Sequence, residues 1–221
     1  MISLDADLIE ILLLSMKVNL ISLFLACMIG LPVGSALAVL RFPTRKIIIA
    51  ISNALMSLPP VVVGLIVYLY LSRNGPLGWL ELLYTPTAMI IAQTILVAPI
   101  VTALSRQIVE DFHAEYAELF RSLSVPHRTA VTTLLMDAKH SLATVALAGF
   151  GRAIAEVGAV IIVGGNIDHL TRVMTTAIAL ETSKGNLALA LALGMILIVL
   201  SLAVNATVSL LREASGQPAD A

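Results

Sequence analysis

The sequence predicts an all-α, polytopic membrane protein, on three observations. Of its 221 residues, 59% are hydrophobic and only 12% are charged, whereas about a quarter of a soluble domain is charged. The mean hydropathy is +1.00. Several apolar runs reach the ~20 residues that a helix needs to cross a bilayer. Helices satisfy their own backbone N–H and C=O groups, which lipid cannot do. A soluble helical bundle would need charged faces every few residues, and this chain has none. The net charge of −1 carries no information about nucleic acid; the placement of the charges is what informs. Cys27 is the single cysteine, so no disulfide framework is possible.

Five main spans are expected, at 18–40, 47–71, 87–104, 142–163 and 187–211. Residues 1–17 are apolar but carry Asp5, Asp7 and Glu10 and no basic leader, which argues against a cleaved signal peptide. They form either an interfacial helix or an extension of the first span. A sixth span is disfavoured, because Lys17 and Asn19 interrupt the run. The domain expected is 18–211, followed by a short polar tail at 212–221. Basic residues orient the chain. With the N-terminus outside, Arg41, Arg45, Lys46, Arg106, Arg121, Arg128, Lys139 and Arg212 lie inside, and Lys17, Arg73, Arg172 and Lys184 lie outside. Arg152 falls within a span. The N-terminus is therefore expected outside and the C-terminus inside.

Two proline sites stand out in this pattern. Leu58-Pro59-Pro60-Val-Val-Val-Gly64 should break or kink the second span, and Pro99 the third. Such a kink either shapes packing or forms a flexible wall of a transport path. Trp79 and Tyr84, beside the turn cluster 72–79, suit an interfacial anchor.

No catalytic apparatus is visible. The chain has no Gly-rich phosphate cradle for ATP hydrolysis, and His113, His127, His140 and His169 are not at metal-ligand spacing. No cofactor, metal or nucleic-acid partner is expected. Two features stand out from the hydrocarbon. The first is the long charged segment 110–140, which holds Glu118, Leu119, Phe120, Arg121, Leu123, Ser124 and Arg128; an amphipathic segment kept between spans suggests a docking surface. The second is Gly149-Phe-Gly151-Arg152-Ala-Ile-Ala-Glu156-Val-Gly158. Arg152 and Glu156 share a helical face and can pair. An intramembrane charge costs a few kcal/mol or more and normally faces protein or water, so the pair either fixes packing or belongs to a path or gate. Nearby Gly149, Gly151, Ala153, Ala155 and Gly158 allow close helix approach. Beyond it, 173–180 is too short and polar to span. Its Thr175 and Thr176 either cap a helix or offer hydroxyls to an oxyanion, and Arg172 and Lys184 make the outer mouth mildly positive, a charge that nearby Asp168 and Glu181 dilute.

Glu118-Leu-Phe-Arg-Ser-Leu-Ser124 followed by Leu134-Leu-Met136-Asp137 resembles the "EAA" signature of ABC importer permeases. Leu119 and Phe120 replace its alanines, Ser124 its glycine and Asp137 its proline. The Pro59-Pro60 kink and the Arg152–Glu156 run are similar to those of oxyanion-importer permeases. Val163-Gly-Gly-Asn-Ile167 with Met174 to Gly185 looks like the tungstate-type permease. The resemblance implies a type I importer fold, a homodimer, a cytoplasmic ABC ATPase dimer docked through a coupling helix in the signature, and an extracytoplasmic tungstate-binding protein, all in a prokaryotic cytoplasmic membrane. It also implies that ATP is hydrolysed on a separate chain, whose groove Leu119, Phe120 and Leu123 are expected to fill, Phe120 as an aromatic anchor, while Glu118, Arg121 and Arg128 line the rim. Under it, Pro59, Pro60, Arg152, Glu156 and Gly158 line the path or gate. A molybdate permease is the nearest alternative. A secondary transporter would need inverted repeats, and no convincing pair is found. A scaffold would leave Arg152, Glu156 and the proline kink unexplained.

Overall fold

In the computed structural model, residues 2–214 are described, and among them the ordered elements are helical. The chain opens with one 38-residue helix, α1 (Ile2–Val39). At 1.5 Å per residue it spans about 57 Å, well beyond the ~30 Å of hydrocarbon. Residues 2–17 thus extend the first span, the second of the two forms expected of this segment. The polar tail expected from 212 continues the last helix to 214 and otherwise lies outside the described residues.

The second span is two helices. α2 (Arg45–Met56) and α3 (Pro60–Leu71) meet at 101°. Pro60 has no N–H to continue α2, and Pro59 pushes the residue before it out of helical geometry. This is a break, larger than a proline kink. α3 is about 18 Å long and cannot cross hydrocarbon alone. A loop with a 3-10 turn at Gly78–Leu80 leads to α4 (Pro86–Ser122). Trp79 on that turn is 76% exposed, as an interfacial anchor requires.

α4 narrows one expectation and corrects another. Of the break or kink expected at Pro99 there is no break: the proline lies inside the helix, which runs on through it. It also runs past 104 to Ser122, so 118–124 is not a helix of its own. Nothing in Glu110–Ser122 breaks a helix; Ser124, at φ 50°, and Pro126 end it. The short separate helix is α5 (His127–Asp137).

The fourth span is also broken. α6 (Lys139–Ile154) and α7 (Gly158–Gly164) meet at 59°. The short polar stretch that follows is α8 (Met174–Ser183), and α9 (Leu187–Ala214) is the last apolar helix. Among the described residues, three helices are long and apolar enough to cross a membrane, and the number rises to five if each bent pair is one span.

The core forms between α1 and α4 and has two parts. One gathers Val18, Val63, Val67, Met89, Ala92, Ala159, Val160 and Val163 around α3 and α7. The other gathers Ala26, Val97, Val101, Val109, Leu134, Leu142 and Val145 around α5 and α6. Without a hydrophobic driving force between helices in lipid, small residues let backbones approach. A Cβ on Gly34 would lie 2.1 Å from Ser105 Oγ and 2.5 Å from the Thr102 carbonyl oxygen. At the end of this pair Glu110 ties α2 to α4, and Arg45 extends the tie to α1. Glu110 accepts from Arg45 Nη2 at 2.8 Å and pairs with Arg106, while Arg45 Nε donates to the Leu37 carbonyl at 2.7 Å.

Gly34→Ala should therefore destabilise the subunit by roughly 1–3 kcal/mol, the cost of overpacking a tight contact. Gly194→Ala, where an added Cβ meets nothing within 4 Å, should be neutral. Thermal unfolding in mild detergent compares them, and equal midpoints would refute the close-approach account.

Candidate functional site

The two broken spans come together. α3 packs on α7, and a Cβ on Gly64 would fall 2.7 Å from Ala159 Cα. Gly158 abuts Val61 in the same way, at 2.8 Å from its Cγ2. Gly64 is needed for the two backbones to meet, whereas Gly158 makes room for the Val61 side chain. The breaks at 57–59 and 155–157 thus lie at the same end of one packed pair.

Glu156 occupies the second break. It is 3% exposed. Its Oε2 accepts from Arg152 Nη1 at 2.6 Å, and its Oε1 accepts from the Ala159 N–H at 3.0 Å. Its own carbonyl accepts from Thr175 Oγ1 at 2.8 Å. One residue therefore satisfies the start of α7, neutralises an arginine and ties α8 to the break. The expected pairing of Arg152 and Glu156 is present. The two partners differ in surroundings, since the Arg152 side chain keeps 30% of its surface exposed. The expected path residues Pro59, Pro60 and Gly158 flank the same junction. Of the small residues, Gly149 packs against Leu23, Val97 and Val101, but Gly151 faces open space.

Sequence reasoning missed the polar cluster beneath this junction. Gln93 on α4 is 2% exposed. Its Nε2 donates to Asn19 Oδ1 at 2.8 Å and to the Ala153 carbonyl at 2.9 Å. Ser22 Oγ lies 3.0 Å from Gln93 Oε1. Asn19 and Ser22 are three apart on α1, hence on one face, and that polar pair in an apolar run was the available signal.

The residues expected at the outer mouth are brought together, but not as a positive rim. Arg172 Nη1 donates to Asp168 Oδ1 at 2.6 Å, and Lys184 Nζ to Glu181 Oε1 at 2.8 Å. The Lys184 contact, then that of Asn186, holds the Glu181 carboxyl below its ordinary range. Each of these two cations carries its own carboxylate, so neither adds the free positive charge that would steer a dianion. Thr176 turns inward, accepting from the Val173 N–H at 3.1 Å; this is the capping role. Nearby, His169 Nδ1 meets Glu10 Oε2 at 2.8 Å and joins the 165–173 loop to α1. That hydrogen bond, and then the charge of Asp168, raises His169 above its ordinary value.

In the signature segment, Glu118, Arg121 and Arg128, the residues expected on a rim, are exposed, and so is Ser124. Phe120 is not free to fill a partner's groove. It stacks on Tyr116 at 5.7 Å between ring centroids and packs against the core part around α5 and α6. The exposed apolar residues are Leu119, Leu123 and Met136, at 50%, 65% and 67%. Ser124 stands where the signature has glycine, and its φ of 50° is in the left-handed region that favours glycine.

Breaking the intramembrane pair should be asymmetric. Arg152→Ala strands a buried carboxylate and should cost about 3–5 kcal/mol. Glu156→Ala strands a guanidinium that already reaches open space, and should cost less despite the lost helix cap. The double variant should recover folded yield relative to Arg152→Ala. Equal yields for all three proteins would mean independent, hydrated charges.

Comparison with known proteins places this geometry. Residues 30–214 match the family model for the binding-protein-dependent transport system inner membrane component. The tungstate uptake system permease protein of Peptoclostridium acidaminophilum is 38% identical over 213 residues, covering 96% of this chain and 93% of the relative. A probable anion ABC transporter permease protein of Haloferax volcanii is 39% identical, covering 90% and 88%. The sulfate transport system permease protein of Escherichia coli K12 is 26% identical, covering 91% and 76%. With its broken apolar spans, its satisfied intramembrane ion pair and this match along most of its length, the chain belongs to the family of binding-protein-dependent transport system inner membrane components, the permeases of ABC importers.

Proposed function

We propose that this chain is the permease subunit of a tungstate importer. The observation that carries the reading is the 38% identity to a tungstate uptake permease over 96% of the chain, against 26% for the sulfate relative. Tungstate and molybdate are tetrahedral dianions of nearly the same size, so discrimination falls mainly to an extracytoplasmic binding protein. The permease needs only a path that binds its cargo weakly enough to release it.

The path runs past the junction of the broken spans, lined by Pro59, Pro60, Arg152, Glu156 and Gly158. An arginine exposed over 30% of its side chain within an apolar span is costly against lipid, which favours a watery lumen on that side. A single subunit presents this surface uncovered, and closed two-fold symmetry is the common way to enclose one; the working unit is a homodimer. Five crossings put the termini on opposite sides, and the basic residues near 41–46 and 106–139 put the C-terminus inside.

The exposed edge at the end of α4 and along α5 docks the cytoplasmic ATPase. Leu119, Leu123 and Met136 supply the apolar contact, and Glu118, Arg121, Ser124 and Arg128 the rim. Phe120 supports this edge from behind. Leu123→Asp should weaken co-purification of the ATPase at least ten-fold, about 1.4 kcal/mol or more, with the permease still folded. Undiminished capture would place the docking edge elsewhere.

The substrate is tested by metal-resolved uptake in cells that lack other oxyanion importers. Tungsten should accumulate in preference to molybdenum, and both well above sulfate. Molybdenum accumulating as readily as tungsten, with the native binding protein present, would refute the tungstate assignment and leave the permease class standing.

A further inference from the structure

We propose that Gln93 is a positioning residue for transport, the point at which the ATPase-docking helix grips the intramembrane gate. The proposal rests on the permease reading above. A helix that stops at membrane depth leaves carbonyls that water cannot reach, and these must find protein donors. α6 stops at Ile154. The Ala153 carbonyl accepts from Gln93 Nε2 at 2.9 Å, beside the Glu156 N–H at 3.1 Å. Gln93 is the side chain of another helix that terminates this break.

An amide has two N–H donors and a carbonyl acceptor. Gln93 commits both donors, one to α6 and one to Asn19, and its oxygen lies within reach of Ser22. It is thereby fixed to α1 on one side and to the broken end of α6 on the other. A cavity of about 10 Å³ adjoins it, lined by Ser15, Asn19, Gln93, Ala153, Glu156 and Thr175 among others. That is the size of one water with polar partners, so the junction has room for one hydrogen-bond partner to be exchanged as the bend alters.

The second half of the argument is mechanical. α4 is continuous from Pro86 to Ser122. Gln93 and Glu118 therefore ride on one helix, about 37 Å apart at 1.5 Å per residue. Displacement of the docking end carries Gln93 with it, and Gln93 holds the carbonyl next to the Arg152–Glu156 pair. The amide thus determines the bend at which that pair sits, without touching the cargo.

The test uses the permease reconstituted with its ATPase and binding protein in liposomes, reading tungstate taken up per ATP hydrolysed. Gln93→Met keeps the length and removes the amide. It should leave ATPase attachment within about two-fold of wild type and lower uptake per ATP at least ten-fold. Ser22→Ala removes one partner from a fully buried position and should lower the ratio several-fold. A ratio within two-fold of wild type for Gln93→Met overturns the proposal. If Gln93→Met does not assemble, Ser22→Ala decides, and an unchanged ratio there reduces Gln93 to a packing role. Failure of the permease reading looks different, because the wild-type complex would then take up no oxyanion at all.

Discussion

A backbone interrupted inside a bilayer has no solvent to fall back on, and the break between α6 and α7 shows how this subunit answers that constraint. Glu156 takes the free N–H of Ala159, Gln93 adds a second donor to the Ala153 carbonyl beside the Glu156 N–H, and Thr175 takes the Glu156 carbonyl. Every partner comes from a different element, so the break fixes α4 and α8 as well as itself. Arg152 then has a defined place because the carboxylate it needs is already held. Such a network is costly to leave half-satisfied, since a polar group stranded in low dielectric loses water without gaining a partner. The surrounding helices are therefore fixed relative to the break by hydrogen bonds, where apolar packing alone would let them slide.

The continuous helices supply the frame for this junction. α1 and α4 lie close along their length, with Gly30 and Gly34 admitting Val101, Ser105 and the Thr102 backbone. Glu110 holds the start of α2 to the same frame by drawing Arg45 and Arg106 together. The broken halves α3 and α7 pack on each other through Gly64 and Ala159. Two kinds of element result. Long helices carry position over distance, and short paired halves meet where the backbone is interrupted.

Much of this was legible in the residues, for physical reasons. Hydrocarbon runs of sufficient length identify spans, and the Pro59-Pro60 pair has few outcomes other than a break. The i, i+4 spacing of Arg152 and Glu156 admits the ion pair directly. Other features were not legible. Ala155-Glu156-Val157 contains no helix breaker, and the interruption there depends on tertiary partners for its freed groups. Phe120 looked like an anchor because aromatics often are; its burial against Tyr116 follows from α4 continuing to Ser122, which a local reading of the signature did not suggest. Asp168 and Glu181, at i, i+4 and i, i+3 from Arg172 and Lys184, are legible as diluting a positive rim, but spacing alone does not say that each cation is fully paired. The Gln93 cluster joins residues more than 70 positions apart, and sequence spacing carries no trace of such a meeting.

The last helix is held very differently from the others. Only 11% of its most apolar window is buried inside the subunit, whereas the corresponding window of α4 is 56% buried. Leu191, Met195, Ile198, Val199 and Leu202 all stand exposed. The stability of α9 as a helix therefore derives from the bilayer, and its attachment to α8 and α6 is a separate, weaker matter. A biosynthetic order follows. α9 is stable as soon as it partitions into lipid, with no native neighbour required, whereas α3 and α7, too short to cross alone, become stable only once they find each other and α4. Insertion and folding are thus separable events for this chain, and the C-terminal helix completes the first without waiting for the second.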